Sequence, residues 1–173
     1  LIQHLDAGIF ESYPGNGRTW LDISGNFNDV FLDDATLFIN KTGGFFEFDG
    51  ISSSIFLGEK PYLPLGNSSR TIEIWALPHE PSLSQTLLSY GNLEDGKKFA
   101  ITFSRDEFSL AVGGYRYGTK EISQSIKEGF NQISVVINKN KDETNEIILF
   151  LNGDRIENTY KIAGDKEISL NTV

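Results

Sequence analysis

Residues 147–155 read Ile-Ile-Leu-Phe-Leu-Asn-Gly-Asp-Arg, and this stretch indicates the fold class. Ile147, Leu149 and Leu151 occupy every second position, so they share one face of a β-strand. Asn152-Gly153 follows directly, and this dipeptide favours the positive φ angles of a tight hairpin turn. The stretch therefore predicts a strand that turns back into an antiparallel partner.

The same alternation recurs through the second half of the chain, at 72–76, 99–103, 108–112 and 133–137. Turn residues separate these runs, and no segment shows a sustained helical period. Short strands at regular spacing predict an all-β fold, an antiparallel sandwich of two sheets. Their number favours a jelly roll over an immunoglobulin-type sandwich. Without an internal repeat or linker, 1–173 is interpreted as a single domain.

The charge balance limits the class of partner. The 173 residues include 15 Lys and Arg against 24 Asp and Glu, which gives a formal net charge of −9. Nucleic acids and anionic membranes are bound by positive surfaces, so we expect neither as the main partner, nor any membrane insertion. The absence of cysteine excludes disulfides, thiolate metal sites and thiol nucleophiles.

The N-terminal third carries a succession of glycine, aspartate and aromatic motifs. They are Leu5-Asp6-Ala7-Gly8, Ser12-Tyr13-Pro14-Gly15-Asn16-Gly17, Trp20-Leu21-Asp22-Ile23-Ser24-Gly25-Asn26 and Gly43-Gly44-Phe45-Phe46-Glu47-Phe48-Asp49-Gly50. With the strand that contains Trp75 and the strand that ends in Asn152-Gly153, this succession resembles the laminin-G-like, concanavalin-A-like jelly-roll domains. Such domains are common in phage virion proteins and in bacterial surface or secreted proteins.

The resemblance implies a location in a virion, in its capsid or tail, or on an extracellular surface. Related domains usually close with a further strand that pairs beside the first, and the chain stops at 168–173 before anything like it. We therefore expect the chain to be part of a longer polypeptide. The closing strand would lie in its continuation or come from a neighbouring subunit of a larger oligomer.

Catalytic residues are not expected. Glucanases of this superfamily carry a Glu-x-Asp-x-Glu strand, because retaining hydrolysis needs two carboxyl groups about 5 Å apart. The nearest pattern here is Glu47-Phe48-Asp49, which lacks the third carboxylate, and Glu73 stands alone. We therefore predict that the chain is not an enzyme.

Asp22 and Asp49 are the candidate metal ligands. Each lies in a turn, where a carboxylate can also cap local backbone N–H groups, and we favour this structural role. Calcium is the alternative, because many jelly-roll lectins of the superfamily bind it with loop carboxylates and carbonyls. No other cofactor is expected.

Two segments are the main candidates for ligand binding, with Tyr13 as a third. Glu73 and Trp75 share the strand face opposite the core, where the indole could serve as a platform for a sugar; the alternative is that a loop covers Trp75. Residues 113–118 read Gly-Gly-Tyr-Arg-Tyr-Gly and are interpreted as a recognition loop containing Tyr115, Arg116 and Tyr117. Alternatively, the tyrosines cap one end of the sandwich.

These residues and the resemblance together predict a non-catalytic binding or structural module of a virion or cell-surface protein, associated with a phage capsid or tail. Its partner would be a glycan or a neighbouring protein subunit. The alternative is a carbohydrate-binding accessory domain of a secreted glycoside hydrolase or sialidase. Because one fold hosts many functions, the fold alone does not distinguish these.

Overall fold

The structure is a computed structural model, which describes residues 1–58, 62–64, 68–77, 85–91, 98–103, 108–112, 115–119, 129–139, 145–156 and 160–162. At 98, 103, 108–112, 115–119, 139, 145 and 160–162 only the backbone is described. Within these ranges every helix or strand element is a β-strand, which confirms the all-β class. The described residues contain no helix with the length and hydropathy that crossing a membrane requires.

The chain divides into two compact units, Leu1–Leu63 and Pro64–Val173. The expectation of a single domain over 1–173 stays a prediction. The closing strand expected after 168–173 also stays a prediction, because those residues are outside the described ones. Unit 1 is built from short strands, β1 (Thr19–Trp20), β2 (Val30–Leu32), β3 (Leu37–Ile39), β4 (Phe45–Glu47) and β5 (Ile55–Phe56). They form an antiparallel sheet in the order β1-β2-β5 and a separate pair β3-β4.

Aromatic rings form the centre of unit 1. Tyr13 meets Phe38 and Phe46 with ring centroids 4.9 Å apart in both cases, and Trp20 meets Phe46 at 4.7 Å. All three contacts are edge-to-face, the arrangement that the ring quadrupole favours. Val30, directly opposite Trp20 in the sheet, is fully buried. Side-chain packing rather than long strand ladders therefore holds this unit.

Unit 2 contains the longer strands. They are β6 (Arg70–Ala76), β7 (Gln85–Gly91), β8 (Lys98–Phe103), β9 (Phe108–Val112), β10 (Tyr115–Thr119), β11 (Asn131–Lys139), β12 (Asn145–Leu151), β13 (Asp154–Arg155) and β14 (Tyr160–Ile162). One antiparallel sheet has the order β13-β12-β11-β6, with β14 also paired to β12. The other has the order β10-β9-β8-β7.

The two sheets of unit 2 share one apolar core. It consists of Ile133, Val135 and Ile137 of β11, Ile147, Leu149 and Leu151 of β12, and Phe99 and Ile101 of β8. Every member is at most 2% exposed. The predicted alternation in β11 and β12 is therefore confirmed, and the two sheets pack face to face in a sandwich-like arrangement.

The predicted hairpin after β12 is also confirmed. Asn152 and Gly153 have φ angles of 55° and 86°, the left-handed pair that a type I′ turn requires. The Asn152 amide also ties the turn to β11, because its Nδ2 donates to Asn131 Oδ1 at 2.9 Å and its Oδ1 accepts from Gln132 N at 3.1 Å. The turn thereby fixes the register of β12 against both neighbours.

Candidate ligand-binding face

Strand β6 separates apolar from exposed side chains. Ile72 and Ile74 pack against the core of unit 2, whereas Glu73 and Trp75 project from the opposite surface of the sheet. Trp75 is 62% exposed. The face predicted from the alternation is thus where the structure places both side chains, and no loop buries the indole.

Glu73 fixes the position of the indole. Trp75 Nε1 donates to Glu73 Oε1 at 3.2 Å, so the polar edge of the ring points along the strand toward the carboxylate. Glu73 Oε2 has no hydrogen-bond partner among the described residues. The pair therefore combines an apolar ring surface with a carboxylate oxygen that can accept a hydrogen bond from a ligand hydroxyl.

The sheet register adds polar and aromatic side chains beside this pair. Gln132 lies directly across from Trp75 and Ser134 across from Glu73, both on β11. Phe150 of β12 follows next to Ser134, and Arg155 of β13 next to Phe150. Directly opposed residues in antiparallel strands have Cβ atoms about 4.5–5.5 Å apart, so neighbours in this row can contact one ligand.

We call these residues, Glu73, Trp75, Gln132, Ser134, Phe150 and Arg155, the outer face. All six are half-buried or exposed, and Arg155 forms an ion pair with Glu146 at 3.7 Å. Glu73 and Trp75 were predicted from the alternation in β6, whereas the other four residues were not predicted. The alternation that places Ile133 and Leu149 in the core also places Ser134 and Phe150 on the other surface of the sheet. Only the strand order shows that Ser134 and Phe150 lie beside β6.

The recognition loop predicted at 113–118 is in part a strand. Tyr115, Arg116 and Tyr117 belong to β10, which pairs with β9 at the edge of the second sheet. Aromatic residues favour strands, and Gly113-Gly114 alone suffices for a hairpin turn, so the flanking glycines did not indicate a long loop. That dipeptide and the three side chains lie outside what the structure describes.

Tyr13 is a core residue rather than the predicted ligand contact. It is 5% exposed, with its ring held between Phe38 and Phe46. Its hydroxyl donates to the carbonyl of Gly17 at 2.9 Å, and burial raises the pKa of the phenol. The neighbouring Pro14 and Gly15 suggested a surface turn, but the ring is buried in the aromatic cluster and its hydroxyl bonds back to that turn.

Asp22 organises a loop of unit 1 through both carboxylate oxygens. Oδ1 accepts from His4 N at 2.8 Å and Ser24 N at 2.9 Å, and Oδ2 accepts from Asn28 N at 2.9 Å and the Ser24 hydroxyl at 2.8 Å. Burial raises the pKa of Asp22, but these donors favour the charged form more strongly, and the net pKa is lowered. The geometry fits the predicted cap.

Asp49 closes a second turn in the same way. Its Oδ1 accepts the backbone N–H groups of Ile51, Ser52 and Ser53, and the hydroxyls of Ser52 and Ser53 donate to Oδ2 and Oδ1. The Ser52 hydroxyl is the main reason that the pKa of Asp49 is lowered, followed by the backbone donors. This geometry also fits the predicted cap.

The described residues contain no group of three or more histidine, aspartate or glutamate side chains placed to hold a metal ion. No model of a known protein family matches the chain, and no curated protein sequence matches it. The laminin-G-like resemblance therefore stays a prediction from the sequence motifs.

Proposed function

We propose that the chain is a non-catalytic binding module that holds a glycan on the outer face, within a jelly-roll scaffold displayed on a virion or cell surface. The exposed Trp75 indole, held in place by Glu73 on a sheet surface, is the observation that carries this proposal. A large exposed aromatic ring is a common feature of interaction sites, because its apolar surface remains to be covered by a partner.

The chemistry of the outer face suits a sugar. A pyranose ring presents C–H groups on one side, which can pack on the indole, and hydroxyls around its edge. Gln132 offers amide donors and an acceptor, Ser134 a hydroxyl, and Glu73 a carboxylate. An apolar platform with a few placed polar groups is the usual composition of a small-molecule site.

Charge indicates which glycans fit. The carboxylate of Glu73 lies beside the platform, and the chain carries a net charge of −9. Both features repel anionic ligands, and Arg155, the cation of the outer face, is paired with Glu146. Neutral or amino sugars are therefore favoured over sialylated, sulfated or uronic-acid polymers.

The arrangement of carboxylates favours binding without hydrolysis. Glycosidases need two carboxyl groups about 5–9.5 Å apart across the scissile bond. Glu146 shares the sheet surface with Glu73. In the register, however, they lie two inter-strand spacings apart, with β11 between them, and four residues apart along the strand direction. That places their Cα atoms about 16 Å apart.

Substituting Trp75 tests the proposal directly. We expect Trp75→Ala to weaken binding to any glycan that the chain selects from an array by about tenfold or more, equivalent to at least 1.4 kcal/mol. Because the ring is exposed, we expect stability to change by only about 0.5 kcal/mol. The measurements are isothermal titration calorimetry and thermal unfolding.

Phe10→Ala is the matched control, since Phe10 is a 73% exposed aromatic of unit 1 that is not part of the outer face. It should leave binding unchanged. Equal affinities of Trp75→Ala and the parent chain would contradict the proposal. The absence of binding to neutral, amino and acidic glycans would instead favour a protein partner. Sequence flanking the chain would identify a hydrolase accessory domain, which is the alternative.

A further inference from the structure

Strand β6 forms one edge of its sheet. It pairs with β11 from Arg70↔Ile137 to Ala76↔Asn131 in an unbroken register. Among the described residues no strand pairs with the other edge of β6. An antiparallel strand directs about half of its backbone N–H and C=O groups to each side, so this edge can accept a further strand.

The core side of β6 is incompletely covered. Ile72 and Ile74 remain partly exposed, whereas Val135 and Ile133, which lie directly across from them on β11, are fully buried. Among the described residues, the apolar layer therefore extends to the edge of the sheet and is only partly covered there. A strand added beside β6 would remove this aliphatic surface from water.

Two other edges of unit 2 are protected in ways that β6 is not, and β10, the remaining edge of the second sheet, has only five residues. Beyond β12 the sheet ends in β13 and β14, which are only two and three residues long and include charged residues. In the second sheet, β7 has a register shift between Thr86 and Leu88. Short, charged and bulged edges discourage strand addition. Strand β6 has seven residues, with no proline, lysine or bulge.

We propose that two copies of this chain pair antiparallel through β6, with Ile74 of each copy opposite Ile74 of the other. This register places Glu73 opposite the partner's Trp75 and Ile72 opposite the partner's Ala76. The sequence of β6 is then self-complementary on both faces.

The neighbouring registers are worse. Centring the pair on Glu73 would place two carboxylates directly opposite each other, which is destabilising. Centring it on Ile72 would place the charged Arg70 opposite Ile74, against the apolar layer. A register shifted by one residue, with Glu73 opposite Ile74, would place the core side of one copy on the same surface as the outer side of the other. The reason is that adjacent residues of a strand point to opposite faces.

The proposed dimer has a definite salt dependence. Each copy carries a net charge of −9, so the two copies repel each other at long range. Salt screens this repulsion, with a Debye length of about 8 Å at 0.15 M, and does not weaken the backbone and aliphatic contacts. Dimerisation should therefore strengthen as salt is raised.

Both outer faces lie on the same side of the continuous sheet in this arrangement. This consequence rests on the proposed function, because it presents two glycan sites to one surface and raises avidity. The pairing of the strands itself does not depend on glycan binding.

Single cysteines test the register, because the chain has none of its own. Directly opposed Cα atoms are about 4.5–5.5 Å apart, within the range that a disulfide spans. Ile74→Cys should therefore form a disulfide-linked dimer under mild oxidation. The Cα atoms of two Glu73→Cys copies would be about 8 Å apart, too far for a bridge, and this variant should stay uncrosslinked.

Mixing Glu73→Cys with Trp75→Cys provides a second test on two exposed positions, in case Ile74→Cys fails to fold. The mixture should yield the mixed disulfide in excess of either homodimer. On the unsubstituted chain, sedimentation equilibrium should show a dimer whose share rises with protein concentration and salt. A chain that stays monomeric, or a Glu73→Cys variant that crosslinks with itself, would overturn the proposal. Glycan binding by the monomer would leave the proposed function intact.

Discussion

Three aspartates of unit 1 act as local organisers of the backbone. Asp22, Asp33 and Asp49 each accept at least four hydrogen bonds, mostly from backbone N–H groups and nearby hydroxyls. Strands of two or three residues provide few ladder bonds, so these carboxylates satisfy N–H groups that a longer strand would pair. Each aspartate therefore supplies acceptors for backbone N–H groups that strand pairing would otherwise satisfy.

Removing one of these organisers should be costly. Asp22→Ala would leave the N–H groups of His4, Ser24 and Asn28 without their acceptor in a partly buried loop. We expect a loss of about 1.5–3 kcal/mol in the free energy of unfolding, the range for hydrogen bonds to a charged group. Urea unfolding would measure it.

Asp34→Ala is the matched control, because Asp34 is exposed and its contact is a surface ion pair with Arg18. Such pairs contribute about 0–1 kcal/mol. Equal destabilisation by Asp22→Ala and Asp34→Ala would show that the Asp22 network is not needed.

The sequence predicted only part of what residues do in unit 1. The cap from Asp22 to Ser24 follows from their separation of two, whereas the contact with His4 spans 18 residues and has no local signal. Gly8 is similar: a Cβ there would lie 2.2 Å from the carbonyl oxygen of Gly43. The motifs around Gly8 and Gly43 lie far apart in the sequence, and only the fold brings the two glycines together.

Regular alternation made the longer strands predictable. It identified β6, β8, β9, β11 and β12, because a strand of five or more residues can show its two faces as a period of two. The seven-residue β7 was not predicted, and a register shift between Thr86 and Leu88 interrupts its pairing. Strands β1 to β5 are too short to show any period. The glycines that flank β10 favour a loop, whereas the structure has a strand there.

At the scale of β11, the two faces should differ in their tolerance of substitution. Ile133 is fully buried between Ile74 and Leu151, so we expect Ile133→Ala to cost about 2–5 kcal/mol. Val136 lies on the other surface of the same strand and is only half-buried. Val136→Ala should cost about 1 kcal/mol or less.

Denaturant unfolding of both β11 variants would measure the difference between their free energies of unfolding. The dependence of that free energy on denaturant concentration should be compared as well. If both substitutions cost the same, the sheet would be covered on both surfaces. That result would also argue against an open outer face.

The whole molecule should lose stability in acid. Hydrogen bonds lower the pKa of Asp22, Asp33 and Asp49, the Thr36 hydroxyl being the largest cause at Asp33. A carboxylate whose folded pKa lies below its unfolded pKa, ordinarily about 3.9, stabilises the fold fully above that unfolded value. The contribution is lost as the pH falls from about 5 through the unfolded pKa toward the folded one.

Net charge adds to this effect below the pI of about 4.7, where the chain becomes increasingly positive. We therefore expect the melting temperature to fall steeply between about pH 4 and pH 2. Asp22→Ala should show a shallower fall than the parent chain. A melting temperature that does not change down to pH 2 would contradict the role given to these carboxylates.

The position of the two tryptophans has a practical consequence. Trp20 lies in the aromatic cluster of unit 1, and Trp75 stands on the solvent side of unit 2. Intrinsic fluorescence thus contains one native reporter per unit, and replacing either indole with phenylalanine isolates the emission of the other. Coincident transitions of the two reporters would indicate a single cooperative domain, and separate transitions would show that each half melts independently.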